Sequence, residues 1–193
     1  EVLMHYFGET QGGILAGHER LHVLAGDLRH PALQLAPHVH DRLAESVDAV
    51  YHSAANVHHI GHYDDFHADN VVATRNLLAL AAGRPASPPD FHFVSTVSVA
   101  GSGASQSYSV FTEYDPAPEI PDDNYYIRTK QEAERLVVAA RGSLANTCIH
   151  RVGNIGFATH STRLQRNIDN NALFPHLVAM WTLLPVELRP CRR

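Results

Sequence analysis

Apolar residues fall in short blocks along the chain, and the blocks alternate between two periods. Runs at 21–25, 48–52, 91–99 and 148–156 are compact and rich in Val, Ile, Phe and Leu, which predicts strands. Between them, 40–46, 69–81 and the stretch that follows Asn124 carry apolar positions three and four apart and predict helices. In 69–81 these positions are 71, 74, 77, 78 and 81, counting the methyl of Thr74; in the later helix they are Ala133, Leu136, Val137 and Ala140. Asp122, Asp123 or Asn124 can cap that helix and Gly142 stops it. Residues 31–37 and 85–89 predict loops. Strand, helix and strand in alternation predict an α/β fold with an open, mostly parallel sheet, whose site lies at the carboxyl edge of the strands.

Two regions depart from this rhythm. Residues 1–20 hold a short amphipathic piece followed by a glycine-rich stretch, with nothing like a strand leading into a phosphate-binding turn. Residues 101–121 lack periodicity and are rich in Ser, Gly and Pro; a loop this long in a compact domain is expected to cover a site. Residues 167–184 predict a helix broken near Pro175, with Phe174, Leu177, Met180 and Trp181 as an apolar stripe of core type.

With 193 residues, 45% of them apolar, the chain can bury a core of single-domain size. Its net charge of -5 and lack of a basic run argue against a nucleic-acid partner. No stretch approaches the roughly 20 apolar residues of a membrane helix, and the first residues lack the pattern of a signal peptide. A soluble, cytoplasmic protein with no membrane partner is expected. Cys148 and Cys191 offer neither a disulfide framework nor a metal spacing. His58 and His62 stand four apart, but Gly61 interrupts any helix that would align them. No metal ligands are expected there, and these histidines line a loop at the substrate mouth or are solvated.

Candidate chemistry centres on Tyr126 and Lys130. Four residues apart on a helix, they share one face, so an ammonium can sit near a phenol. A free tyrosine has a pKa of about 10, and a fixed positive charge nearby favours its phenolate and lowers that value. Upstream, the strand at 91–99 runs into hydroxyl residues; downstream, the strand at 148–156 ends in glycine and asparagine.

Three segments carry a family resemblance: Val94-Ser95-Thr96-Val97-Ser98-Val99, Tyr126-Ile127-Arg128-Thr129-Lys130 and Arg151-Val152-Gly153-Asn154-Ile155-Gly156. Together they resemble the extended short-chain dehydrogenase/reductase superfamily, and within it the thioester reductase domains of nonribosomal peptide synthetases and carboxylic acid reductases. The resemblance implies a Rossmann-like doubly wound sheet and catalytic roles for Thr96, Tyr126 and Lys130. Thr96 would hold the substrate carbonyl oxygen, Tyr126 would protonate it, and Lys130 would hold the cofactor ribose and depress the tyrosine pKa. It further implies that Asp27 and Leu28 lie against the adenine. The turn Ser53-Ala54-Ala55 would pass under the pyrophosphate and nicotinamide ribose, and Asn70 would stabilise the active-site backbone. Val94, Val152, Gly153 and Asn154 complete the implied cofactor contacts. The implied hydride donor is NADPH, with NADH possible. The implied substrate is an acyl or peptidyl thioester on the phosphopantetheine arm of a carrier protein, released as aldehyde or alcohol.

The sequence departs from the family in lacking the glycine-rich turn and the first two strands, and the C-terminal substrate part is truncated. The expected layout is a partial Rossmann-like nucleotide-binding domain over 1–160 and the start of a substrate-binding part over 161–193. On this reading the strand at 21–25 has no partner in its usual place, and these 193 residues by themselves are expected to bind NADPH weakly or not at all. Three origins stay open: an excerpt of a longer active reductase, an inactive reductase-like domain with a structural or docking role in a megasynthase, or a different N-terminal arrangement. A nucleotide-sugar epimerase or dehydratase is the other enzymatic alternative, because those enzymes share the Tyr-x-x-x-Lys helix.

Overall fold

The computed structural model describes residues 1–58, 60–84, 86–101, 110–118, 123–153 and 155. The chain divides into a unit of Leu24–Gly153 and a second unit of Glu1–Val23 with Asn154–Arg193. In the second unit, helix α1 spans Val2–Ala16 where the sequence predicted a short piece and a glycine-rich stretch. Gly8, at φ 79°, breaks its helical geometry, and Gly12 packs so closely that a Cβ there would lie 2.7 Å from the backbone of Leu3 and Met4. The glycines allow close packing rather than preventing structure. The expected parts beyond Gly153 lie, except for Ile155, outside the described residues.

The larger unit is built on three parallel strands in the order β1-β2-β3: Ala49–His52, Asp90–Thr96 and Thr147–Val152. Ala49 pairs with Asp90, Phe91 with Thr147, and Thr96 with Val152. The expected strand at 21–25 is not formed. Among the described residues no strand lies beside it to complete a hydrogen-bond ladder, and Val23 is 87% exposed.

Helix α2 covers Pro37–Ser46, opened by a proline at its first position. Ahead of it, Pro31–Gln34 makes a turn in which Ala32, Leu33 and Gln34 take left-handed φ values, held by the buried side chain of Leu33. The helix expected over 69–81 begins earlier, as α3 (Tyr63–Phe66), a π-turn (His67–Val72) and α4 (Ala73–Ala81) in direct succession. Helix α5, Tyr125–Ala139, starts where Asn124 Oδ1 accepts hydrogen bonds from the amides of Tyr126 (3.0 Å) and Ile127 (3.2 Å). Beyond its end, Gly142 takes φ +92°. Among the described residues no helix is long and apolar enough to cross a membrane.

One sheet face is covered by α4 and α5. Phe91 and Phe93 on β2 are buried against Leu77, Leu80 and Ala81 of α4 and Ala133 and Val137 of α5, the apolar stripes visible in the sequence. The opposite face carries Tyr51, His92, Cys148 and His150, of which Tyr51 is 72% exposed. The strands therefore alternate, and on β1 only His52 is fully buried.

Two polar side chains stabilise the covered side. Arg151 on β3 holds Glu134 of α5 through both carboxylate oxygens (3.2 and 2.8 Å) and also donates to the carbonyls of Thr112 (3.2 Å) and Asp115 (2.9 Å). Glu134 is 1% exposed, so the guanidinium is its counterion in place of water. His52 packs beside Phe91 and Phe93, and its Nε2 lies 2.9 Å from Thr74 Oγ1. Because the Thr74 hydroxyl donates to Asn70 O at 2.6 Å, Nε2 carries the proton of a neutral ring. Burial, with a smaller contribution from the Lys130 charge, lowers the His52 pKa to about 4.

Arg151→Met strands a buried carboxylate and should lower the unfolding free energy by about 3–5 kcal/mol in urea denaturation. A loss below about 1 kcal/mol would show that the ion pair does not hold β3 to α5. For His52 the folded pKa is depressed from 6.5 to about 4, so its stabilising contribution is present above pH 6.5 and is lost as pH falls towards 4. His52→Leu should remove on the order of 3 kcal/mol of acid-side destabilisation from the pH–stability curve, and superimposable curves would contradict this.

Candidate functional site

The carboxyl end of β2 and the amino end of α5 meet where the sequence placed its catalytic residues. Thr96 closes β2, and its Oγ1 accepts a hydrogen bond from Ser98 N at 3.2 Å, which opens the following 3₁₀ turn Val97–Ala100. The Tyr126 phenol, in the first turn of α5, is half-buried and lies close enough to the Thr96 side chain for that hydroxyl to favour its ionised form. One helical turn on, Lys130 is 2% exposed and donates from Nζ to the carbonyl of Val94 at 2.7 Å, with Nζ 4.0 Å from the centre of the Phe93 ring. Thr96, Tyr126, Lys130 and Val94 thus form one cluster.

Its electrostatics differ from the expectation drawn from spacing. The Tyr126 pKa is raised above its ordinary value, chiefly because burial penalises the phenolate, while the nearby Thr96 hydroxyl pulls it down less strongly. Burial likewise lowers the Lys130 pKa to about 8, against a smaller raising effect of Glu134. The ammonium is committed to a backbone carbonyl and does not depress the phenol. A protonated tyrosine is a proton donor, and a lysine near pH 8 is partly neutral at mildly alkaline pH.

Asn70 links this cluster to the turn after β1. Held in the π-turn and 2% exposed, it accepts from Asn56 N at 2.7 Å and donates to Asn56 O at 3.2 Å and to Thr129 Oγ1 at 3.0 Å. Thr129 Oγ1 in turn donates to the carbonyls of Tyr125 (2.8 Å) and Tyr126 (3.1 Å). Side chains of one short π-turn therefore fix both the β1 turn and the helix that carries Tyr126. The resemblance pointed to Asn70; the Asn56 and Thr129 partners had no sequence signal of their own.

Asn56 also lines an open groove of about 740 Å³ with Asp27, Leu28, Ala54 and Ala55, so four of the expected cofactor contacts share one concavity. Ser53 is exposed and does not line it. The Asp27 carboxylate receives Arg29 Nη2 at 2.6 Å and the Arg29 amide at 2.9 Å, which hold its pKa far below the usual carboxylate range. Gly26 has no room for a side chain, since a Cβ would stand 2.6 Å from Leu33 O. The groove fits a nicotinamide dinucleotide on its own chemistry: small side chains at Ala54 and Ala55 permit close backbone approach at a strand end, and the Asp27 carboxylate, held by Arg29, stands at its wall as a hydrogen-bond acceptor. Val152 and Gly153 end β3, while Asn154 lies outside the described residues.

Of the long loop at 101–121, residues 101 and 110–118 are described. Residues 111–117 border a second cavity of about 850 Å³ with Val97, Glu134 and Arg151. Arg151 fastens this segment through the Thr112 and Asp115 carbonyls and lies 4.6 Å from the Phe111 ring centre. Tyr63 Oη donates to Glu132 Oε2 at 2.8 Å, joining α3 to α5. No sequence pattern indicated either contact.

Comparison with known proteins agrees with this architecture. The family model for an NAD-binding domain described as "Male sterility protein" matches residues 7–184. A linear gramicidin synthase of Brevibacillus parabrevis is 33% identical over 137 residues, covering 70% of this chain and 3% of that protein. Among solved structures, a thiolation-reductase di-domain from an archaeal non-ribosomal peptide synthetase superposes with a TM-score of 0.72 at 29% identity, covering 92% of this chain and 46% of that one. The terminal R domain of the myxalamid PKS-NRPS pathway gives 0.66 at 30% identity, covering 75% and 36%. The chain thus spans a small fraction of the gramicidin synthase and less than half of either solved chain. It belongs to the extended short-chain dehydrogenase/reductase superfamily, in the NAD-binding family described as male sterility protein, and within it resembles the terminal reductase domains of peptide synthetases.

Proposed function

We propose that this chain is the catalytic portion of a reductase that releases a carrier-bound acyl or peptidyl thioester as an aldehyde or alcohol, with NADPH as the preferred reductant. The observation that carries the reading is the convergence of Thr96, at the end of β2, with the half-buried phenol of Tyr126, and Lys130 buried one turn behind with its Nζ on the Val94 carbonyl. The similarity to a thiolation-reductase di-domain supports a carrier protein with a phosphopantetheine-bound substrate as partner. No membrane or nucleic-acid partner enters this reading, and a cytoplasmic setting follows from the implied reaction.

The groove at Asp27, Leu28, Ala54 and Ala55 would hold the adenine half of the dinucleotide, with Arg29 near its ribose. Lys130, Val94 and the end of β3 at Val152, Gly153 and Asn154 would border the nicotinamide half. A bound nicotinamide would supply hydride to the thioester carbon. Thr96 orients the carbonyl oxygen, and Tyr126, kept protonated by burial, delivers its phenolic proton to that oxygen as negative charge develops; the thiohemiacetal so formed breaks its C–S bond, its hydroxyl proton passing to sulfur, to leave an aldehyde and a free thiol. Asn70 acts by position: its bonds to Asn56 and Thr129 keep the groove and the phenol in register.

In the protein that carries these residues, NADPH oxidation in the presence of an acyl-pantetheine thioester should give an aldehyde or alcohol detectable by mass spectrometry. Tyr126→Phe should lower turnover by at least about 10²-fold while thermal stability is retained. Equal turnover of the two proteins would remove Tyr126 from the chemistry.

The pH dependence separates the two titrating groups. Tyr126 stays protonated beyond pH 10, whereas Lys130 loses its charge as pH rises through about 8. Turnover should therefore be level below pH 8 and decline above it. A single limb above pH 10 would show that the charge on Lys130 is not required.

A further inference from the structure

We propose that His92, Cys148 and His150 form a zinc-binding site on the sheet face opposite α4 and α5. It does not rest on the reductase reading: none of the three lines the groove at Asp27, and their side chains lie across the sheet from Phe93, which packs on Lys130. Parallel register places His92 of β2 beside Cys148 of β3, and alternation brings His150 to the same face two residues on. One ligand atom from each residue lies within 4.8 Å of the other two.

The contacts within the group are specific. His92 Nδ1 stands 3.1 Å from His150 Nε2, and Cys148 Sγ stands 3.9 Å from His150 Nδ1. Tyr51 stacks on the His92 ring at 4.4 Å with 3° between planes, which fixes the orientation of that ligand. A tetrahedral zinc ion, at about 2.0–2.1 Å from nitrogen and 2.3 Å from sulfur, separates such ligand atoms by about 3.3–3.6 Å. His150 offers a different ring nitrogen to each neighbour, so its ring must turn for one nitrogen to share an ion with His92 and Cys148, with the backbone register unchanged.

The ligand chemistry selects the ion. One thiolate with two imidazoles suits zinc, whereas magnesium and calcium prefer all-oxygen ligands, which this cluster does not offer. The fourth position opens to solvent and would be filled by water, because Cys148 and His150 are exposed. On binding, the Cys148 thiol releases its proton to solvent. The proton shared between the two imidazoles shifts to the ring nitrogen that does not bind metal, so zinc stays divalent and no electron moves. Such an ion would clip β2 to β3 from the side that no helix of the described unit covers.

Titration of the reduced chain with Co2+ tests this directly. The expected result is one equivalent bound, with a thiolate-to-cobalt charge-transfer band and intense tetrahedral visible bands, both erased by one equivalent of Zn2+. Cys148→Ser should abolish the charge-transfer band, Cys191→Ser should leave it intact, and His92→Gln or His150→Gln should each weaken Zn2+ affinity by at least about tenfold. Far-UV circular dichroism of these variants should match the parent, because the replaced side chains stand on the solvent face. Absence of binding, a spectrum without the thiolate band, or a band that follows Cys191 instead of Cys148 would overturn the proposal and leave His92 and His150 as a hydrogen-bonded imidazole pair.

Discussion

The amide of Asn70 is the constraint on which the rest of the site depends. It sits in a π-turn, where one extra residue per turn lets a polar side chain point inward from an otherwise apolar helix. From there it bonds both backbone groups of Asn56 and the hydroxyl of Thr129. A buried amide costs stability unless its donors and acceptors are matched, and here the matching partners belong to two different elements. The end of β1 and the start of α5 therefore cannot shift independently, and the groove and the phenol inherit a fixed relation.

Burial sets the charge states around that node. Lys130, Tyr126 and His52 all sit against Phe91, Phe93 or the end of β2, and each is moved towards its neutral form. Spacing on a helix suggested that lysine would pull the tyrosine pKa down. In the folded unit desolvation exceeds that attraction, because Nζ is spent on the Val94 carbonyl. The result is a phenol held as an acid, and a lysine whose charge depends on pH in a range where enzymes work.

The two faces of the sheet follow opposite chemistry. Towards α4 and α5 the strands present Phe91, Phe93 and Ile149, and the ion pair there, Glu134 with Arg151, is enclosed by additional backbone acceptors. On the other face they present stacked rings, Tyr51 on His92 and His92 on His150, beside a thiol. Stacked and polar groups tolerate water as an aliphatic face would not.

The strand–helix order, the apolar stripes of α4 and α5, a polar cap among residues 122–124 and the placing of Tyr126 and Lys130 one helical turn apart were determined by the sequence itself, since each depends on residues within a turn or two of one another; the structure selected Asn124 as the cap. Thr96 and Asn70 were identifiable through motif resemblance. Long-range contacts were decided by the tertiary structure alone: the bond of Lys130 to Val94, the hold of Arg151 on residues 112–115, and the meeting of His92 with Cys148 and His150 across strand register. The segment at 21–25 fails as a strand for the same reason. Its own residues favour extension, but a strand exists only where a second backbone completes its hydrogen bonds; the family resemblance, not the local pattern, indicated that the usual partner was lacking.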